Sequence, residues 1–242
     1  MKKVLKIVLI VIGVLFLLLC ILVGVFLYKD FKMEDKLNRE VEEINNIMEA
    51  TDFDEEKFKE KLNNTVSTGD YYKVERAYKN YLRDYVVILN KIEKFYEESS
   101  LEDILSIENY KVDGKDFISS KMKLTAAKNE LDKLKQDFDN MSTEEVAISY
   151  LDSTLDSYYV DYYKKIIGDV KQSREEQELS QYLADYSKII DNLYAVLEFL
   201  SINKSQWDIQ DDTVLFATDE LIEQYKSLLQ SIADTSSNIS NT

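Results

Sequence analysis

The chain has 242 residues, 45% of them apolar, which is enough for a packed core. It has no proline, five glycines, no histidine and a single cysteine, Cys20, inside an apolar N-terminal run; this excludes Ser-His-Asp and Cys-His catalysis, histidine-ligated metal and a disulfide framework. With 46 acidic against 30 basic side chains the formal net charge is −16, a balance that repels nucleic acid and other polyanions.

Residues 7–28, IVLIVIGVLFLLLCILVGVFLY, carry no charge. As a helix they extend about 33 Å, enough to cross a bilayer core. The run is longer than the apolar region of a cleaved signal peptide and lacks a small-x-small site at its end. Leu19 before Cys20 does not fit a lipoprotein signal. We therefore expect residues 1–6 to be a short cytoplasmic tail and 7–28 an uncleaved signal anchor in the plasma membrane. Lys2, Lys3 and Lys6 favour a cytoplasmic N-terminus, and Lys29, Lys32, Lys36 and Arg39 beyond the other end offset that count. The signal-anchor layout of a short charged tail, an apolar run and one large domain makes the following domain the extracytoplasmic one in this reading. With so few residues ahead of it, the anchor reads as a tether with little material to relay a signal.

Residues 29–233 read as one acidic α-helical domain, an elongated bundle. Low proline and glycine favour long helices with short polar connections. Met33, Leu37, Val41, Ile44 and Met48 recur at helical spacing. Asp52 or Asp54 caps the next helix, with Phe58, Leu62 and Val66 inward. Gly69 ends that piece and Asp70 starts a long helix with a heptad seam at Val74, Tyr78, Tyr81, Tyr85, Ile88, Ile92 and Phe95. Ser100 with Asp103 suggests a short helix over 101–107, and Asp113-Gly114 marks a turn. A second seam runs through Phe117, Leu124, Ala127, Leu131, Leu134 and Phe138.

Ser142 with Glu145 forms a capping box for a helix carrying Ile148 through Ile166, stopped by Gly168. The polar stretch KQSREEQE leads into a helix through Leu179, Tyr186, Leu193 and Leu200. Residues 207–216, WDIQDDTVLF, break the helical period: Trp207 and Ile209 alternate, as do Val214 and Phe216, around a four-residue polar turn from Gln210 to Thr213. That predicts a short β-hairpin whose four apolar side chains plug one end of the bundle, with an irregular loop anchored by the same side chains as the alternative. Thr218 caps the last helix, which carries Leu221, Ile222, Tyr225, Leu228, Leu229 and Ile232, and residues 234–242 are expected to be a disordered tail.

Lysine-, asparagine- and isoleucine-rich helices behind an N-terminal anchor resemble the layout of uncharacterised single-pass or lipid-anchored surface proteins of low-GC Gram-positive bacteria. The spacing of Trp207, Val214, Phe216 and Tyr225 is similar to the closing segment of some of them. The resemblance implies location and no particular activity.

Tyrosine is conspicuous, with 17 copies. Tyr71-Tyr72, Tyr158-Tyr159 and Tyr162-Tyr163 are adjacent pairs, so both members cannot face one core line of a helix. These six are the candidate contacts for a partner or ligand, against the plainer reading of boundary packing with the ring inside and the hydroxyl in water. No catalytic residues, cofactor or metal ligands are expected, since no phosphate-binding glycine loop, dinucleotide fingerprint, nucleophile elbow or calcium loop occurs. The acidic pairs, such as Glu42-Glu43 and Glu175-Glu176, read as surface or helix-start residues. Four Asn-x-Ser/Thr sequons, at Asn63, Asn140, Asn203 and Asn238, are what an asparagine- and serine-rich chain produces by chance. The sequence thus points to a non-catalytic, membrane-tethered module that binds a partner protein or envelope component. The alternatives are a carrier or sensor of a small apolar ligand and a carboxylate-dependent hydrolase.

Overall fold

The computed structural model describes residues 28–50, 52–99, 101–171 and 174–240. The span expected over 7–28 lies outside the described residues except for Tyr28. Among the described residues no helix is long and apolar enough to cross a membrane.

Helix α1 covers residues 28–48 and is followed by α2 (Glu55–Asn63), α3 (Asp70–Glu98), α4 (Ile107–Asp113), α5 (Ile118–Met141), α6 (Glu144–Ser149), α7 (Ser157–Lys171) and α8 (Arg174–Ile202). Strands β1 (Trp207–Gln210) and β2 (Thr213–Phe216) precede α9 (Asp219–Ser240). The protein is mostly helical, with the one expected hairpin before the last helix. The sequence marks no boundary within 29–233, yet the contacts group the chain into two compact units. One takes residues up to Leu82 and Ile148–Val170; the other takes Arg83–Ala147 and residues from Lys171 on.

In the first unit, Leu37, Val41, Ile44 and Ile47 of α1 are buried, as are Phe58 and Leu62 of α2. Asp54 caps α2 by accepting the Lys57 N–H at 2.9 Å. The helix ends at Asn63, so Val66 lies beyond it and is half-buried. Gly69 takes a left-handed φ of +67° and turns the chain into α3. From α3 this unit buries Tyr71, Val74, Tyr78 and Tyr81, and from α7 Tyr162, Tyr163, Ile166 and Ile167.

The helix expected from Ser142 to Gly168 is two helices. Ser142 closes α5, and Thr143 accepts the Val146 N–H at 3.3 Å to start α6. Asp152 then accepts the N–H and hydroxyl of Thr154 at 2.9 and 2.6 Å, and Asp156 accepts the Tyr158 N–H at 3.0 Å. Short polar side chains that bond nearby backbone compete with helix, so a run of them breaks it. Gly168 does not stop α7, which continues to Lys171.

In the second unit the α5 seam is buried throughout: Phe117, Leu124, Ala127, Leu131, Leu134 and Phe138. Along α3, Tyr85, Ile92 and Phe95 are buried, whereas Ile88 is half-buried. The short helix expected over 101–107 is a set of turns. The helix begins at Ile107 instead, because Ser106 accepts the Asn109 N–H at 3.1 Å while the Asn109 amide donates to the Ile104 carbonyl at 2.8 Å. Gly114 ends α4 with φ +73°, and Asp113 caps α5 from a distance by accepting the N–H groups of Ser119 and Ser120 at 3.0 and 2.7 Å.

Helices α8 and α9 pack along each other, and α8 packs on α5. Leu221 of α9 is buried; Ile222, Tyr225, Leu228, Leu229 and Ile232 are half-buried. The helix runs on to Ser240, past the expected end at 233. The hydroxyls of Ser231 and Thr235 bond carbonyls one turn back, at 3.0 and 2.8 Å, and Asn192 of α8 donates to the Ser231 carbonyl at 3.2 Å.

The hairpin is antiparallel, with Trp207 opposite Phe216 and Ile209 opposite Val214. The turn is two residues rather than the expected four, because Gln210 pairs with Thr213; Asp211 and Asp212 are both left-handed at φ 47° and 56°, as a tight hairpin turn requires. Of the four expected plug residues only Trp207 is buried; Ile209, Val214 and Phe216 are half-buried. The Trp207 indole donates to the Leu200 carbonyl at 2.7 Å and stacks on Phe117 at 6.0 Å between centroids. The Lys115 ammonium sits 4.7 Å over its ring. Phe216 packs instead against Tyr225 and Phe199, at 5.1 and 6.0 Å.

Candidate functional site

Four of the six candidate tyrosines come together in the first unit. Helical spacing puts Tyr158 and Tyr162 one turn apart on α7, where they meet Tyr71 at the start of α3. The Tyr71 ring lies edge-on to Tyr159 at 5.1 Å and to Tyr162 at 5.7 Å, and Tyr158 lies edge-on to Tyr159 at 5.3 Å. The organising group is Glu34 of α1, which the sequence reading did not single out. Its Oε2 accepts the Tyr158 hydroxyl at 2.8 Å and the Tyr71 hydroxyl at 3.3 Å. The two hydroxyls also meet each other at 3.4 Å, and Tyr162 donates to Asn38 Oδ1 at 2.8 Å.

Burial pushes the Tyr71 phenol well up, helped by the bond to Tyr158 and by the charges of Asp30 and Glu34. Burial raises Tyr162 and Tyr159 too, with Glu34 adding to the first and Asp30 and Asp70 to the second. The Tyr71 hydroxyl pulls Tyr158 down, but burial and the Glu34 carboxylate outweigh it, so this phenol also rises. All four therefore stay protonated as donors at neutral pH. Their rings sit in the negative field of Asp30, Glu34 and Asp70. Tyr158 is 48% exposed and Tyr159 half-buried, so the group presents part of its aromatic surface to solvent.

The other two candidates lie elsewhere. Tyr72 is exposed on α3, with no ring contact to the group among the described residues. Tyr163 is fully buried, and burial, followed by the neighbouring Tyr81, Tyr150 and Tyr78, raises its phenol. Two of the adjacent pairs split between two directions, Tyr71 from exposed Tyr72 and Tyr162 from fully buried Tyr163, whereas Tyr158 and Tyr159 both join the group.

A buried ionic network lies in the same unit and was not legible as a site. Lys79 of α3 donates to Glu40 of α1 at 2.7 Å, to Glu75 at 2.8 Å and to the Asn64 carbonyl at 3.0 Å. Glu75 also accepts the N–H groups of Val66 and Ser67, at 3.0 and 2.9 Å, and the Ser67 hydroxyl. Burial pushes the Glu75 carboxyl up, yet Lys79, Ser67 and the backbone N–H groups together hold it below the ordinary range. Lys61 bonds the other Glu40 oxygen at 3.2 Å and also Glu43. The one sequence signal was the Glu75–Lys79 spacing of four beside the α3 seam.

Grooves of about 490, 630 and 320 Å³ lie among the described residues, and no tyrosine lines these. No group of three or more acidic or cysteine side chains among the described residues is arranged to hold a metal ion. Surroundings hold the carboxyl groups of Glu43, Glu75, Asp113, Asp152, Asp185, Asp208 and Asp212 below their ordinary values.

These features define a mostly helical protein of two units, one bearing a tyrosine–carboxylate face and the other a short β-hairpin before its last helix. Residues 60–242 match the family described as "Protein of unknown function (DUF3053)", and the chain belongs to that family. The match takes in Tyr71, the α7 tyrosines and Trp207, and begins after Glu34 and Glu40. Neither a curated protein nor a solved structure matches the chain.

Proposed function

We propose that this protein is a non-catalytic, membrane-tethered helical module that docks a partner protein or envelope component through the tyrosine face of its first unit. The observation that carries this reading is the fixed geometry of that face. Glu34 and Asn38 hold the hydroxyls of Tyr71, Tyr158 and Tyr162, so the rings are oriented before any partner arrives and little side-chain entropy is lost on binding. Exposed Tyr158 supplies aromatic contact area of the kind that dominates interface energetics. The carboxylates of Asp30, Glu34 and Asp70 select a basic partner surface and suit cation–π contact with lysine or arginine.

The apolar-ligand carrier is the weaker reading, since the described grooves are open and lined by charged side chains rather than by tyrosine. A hydrolase with a carboxylic general acid needs a carboxyl raised by its surroundings, and the seven named above are lowered. The tether rests on residues 7–28 of the sequence, and the extracytoplasmic side on the signal-anchor layout and the surface-protein resemblance.

The test places a photoreactive residue at exposed Ser157, beside Tyr158, in the full-length protein in intact cells. One discrete adduct is expected, and Tyr158→Ala should weaken partner binding by about 2 kcal/mol. No adduct, or an adduct indifferent to Tyr158→Ala, would sink the proposal. External protease digesting the helical units in intact cells tests the side of the membrane.

A further inference from the structure

We infer that the first unit meets the membrane end-on, with its tyrosine face against the headgroup layer of ammonium-bearing zwitterionic lipids. This rests on the tether proposed above and names the envelope component that the face would meet. Tyr28 is the last residue of the apolar run and the first described residue of α1. A helix rises ~1.5 Å per residue, so Glu34 lies within about 9 Å of the level of Tyr28, whatever the tilt of α1. The headgroup layer on one side of a bilayer is itself about 5–7 Å thick. The carboxylate that gathers the tyrosine hydroxyls therefore lies at the headgroups or just beyond them.

Hydrogen bonds show which end of the unit this is. Tyr158 meets Glu34, and Tyr162, one turn on, meets Asn38, so α7 runs in the same direction as α1. Tyr71 meets Glu34 and Tyr78 meets Asn45 at 2.7 Å, so α3 runs that way too. Thr68, just ahead of α3, reaches the Met33 sulfur at 3.6 Å. The early residues of all three helices thus lie together at one end, the end that adjoins the apolar run. Tyr28 and Phe31 of α1 are 68% and 70% exposed there, with exposed Tyr72 of α3 and Tyr158 of α7. Tyrosine favours the headgroup level, where its ring meets apolar chains and its hydroxyl meets water. Phe31 leaves its apolar area in water unless the interface covers it.

The charges select the lipid. Burial, then the charges of Asp30, Asp70 and Asp156, holds the Tyr159 phenol up, so these carboxylates lie around the rings. At ~100° per residue, Asp30 and Glu34 fall on the tyrosine side of α1, while exposed Lys29, Lys32 and Lys36 fall away from it. A zwitterionic headgroup answers both signs: its ammonium suits the Tyr158 ring and the carboxylates, and its phosphate suits the lysines. An anionic headgroup without an ammonium meets the carboxylates with like charge.

The experiment uses the full chain in phosphatidylcholine nanodiscs containing a lipid with a nitroxide on its headgroup. A fluorophore is placed at exposed Ser157 by Ser157→Cys, with Cys20→Ser removing the one native cysteine. The nitroxide should quench it about threefold more than the same fluorophore placed by Asn46→Cys, at an exposed position about 18 Å beyond Glu34 along α1. The pair Phe31→Ala and Tyr158→Ala should lower quenching at 157 about twofold, and discs of phosphatidylglycerol with the same nitroxide lipid should do likewise. The inference is overturned if the label at 157 is not quenched, if both positions are quenched alike, or if either the alanine pair or phosphatidylglycerol leaves quenching unchanged. In the crosslinking experiment above, the adduct at Ser157 should be lipid; a protein adduct would overturn this inference and leave the docking reading standing. A chain that does not enter nanodiscs would remove the tether and both readings with it.

Discussion

Replacing Lys79 with methionine tests how the first unit holds together. Lys79 is 3% exposed, and its carboxylate partners Glu40 and Glu75 are 4% and 1% exposed. Methionine keeps most of the side-chain volume, so packing changes little and the electrostatic effect is isolated. Removing one member of a buried ion pair costs about 3–5 kcal/mol, because the charge left behind has lost both water and its partner. Here Glu40 retains Lys61 at 3.2 Å, and Glu75 retains Ser67 and two backbone N–H groups. The cost should therefore fall at the lower end, about 3 kcal/mol at about pH 7. Adding Glu75→Gln removes a charge that has become uncompensated and should recover about 1 kcal/mol or more.

The pH dependence has a definite sign. In the parent, Glu75 is held below its ordinary value, so its contribution is present through neutral pH and is lost only as pH falls below the unfolded carboxyl value of about 4.3. Without Lys79, burial dominates and the folded carboxyl rises above that value. The deficit of Lys79→Met should then shrink as pH falls from about 7 toward about 5, where the parent is flat. Urea unfolding followed by circular dichroism measures both quantities. A variant within 1 kcal/mol of the parent, with a deficit constant across that range, would refute the reasoning (about 1 kcal/mol being the size of an ordinary surface change).

Trp207→Ala should cost about 3–5 kcal/mol in the same assay, since it removes a buried indole stacked on Phe117. Trp207→Phe keeps an aromatic ring but leaves the Leu200 carbonyl unpaired, for about 1–3 kcal/mol; equal costs for the two would contradict the assignment of the hydrogen bond. At high pH the buried phenols act together. Tyr71, Tyr110, Tyr162 and Tyr163 are all raised by burial above the unfolded value of about 10. Stability should hold through neutral pH and fall above about pH 10, by up to about 1.4 kcal/mol per pH unit for each phenol still protonated in the folded state. Tyrosinate absorbance appearing together with loss of helical signal is the expected result. Titration of all 17 tyrosines near pH 10 with the helices intact would count against it.

What the sequence determined by itself is whatever depends on neighbours in the chain. The α5 seam, the Asp54 cap, the Gly69 and Gly114 turns and the hairpin over 207–216 were all legible, because helical period, capping and turn chemistry act within a few residues. Errors arose where two local signals competed. Asp152, Thr154 and Asp156 divided one expected helix, and Ser106 moved the start of another. Only the tertiary structure decided which side chains meet. Tyr71 and Tyr158 are 87 positions apart, and the carboxylate joining them, Glu34, lies on a third helix. Glu40 and Lys79 are 39 positions apart, and a buried charge is stable only once its distant partner has arrived. Ile88 reads as core from its heptad position, and it lines an open groove because α3 and α5 leave space between them there. Periodicity gives the face on which a residue lies; the packing of the other helices decides what covers that face.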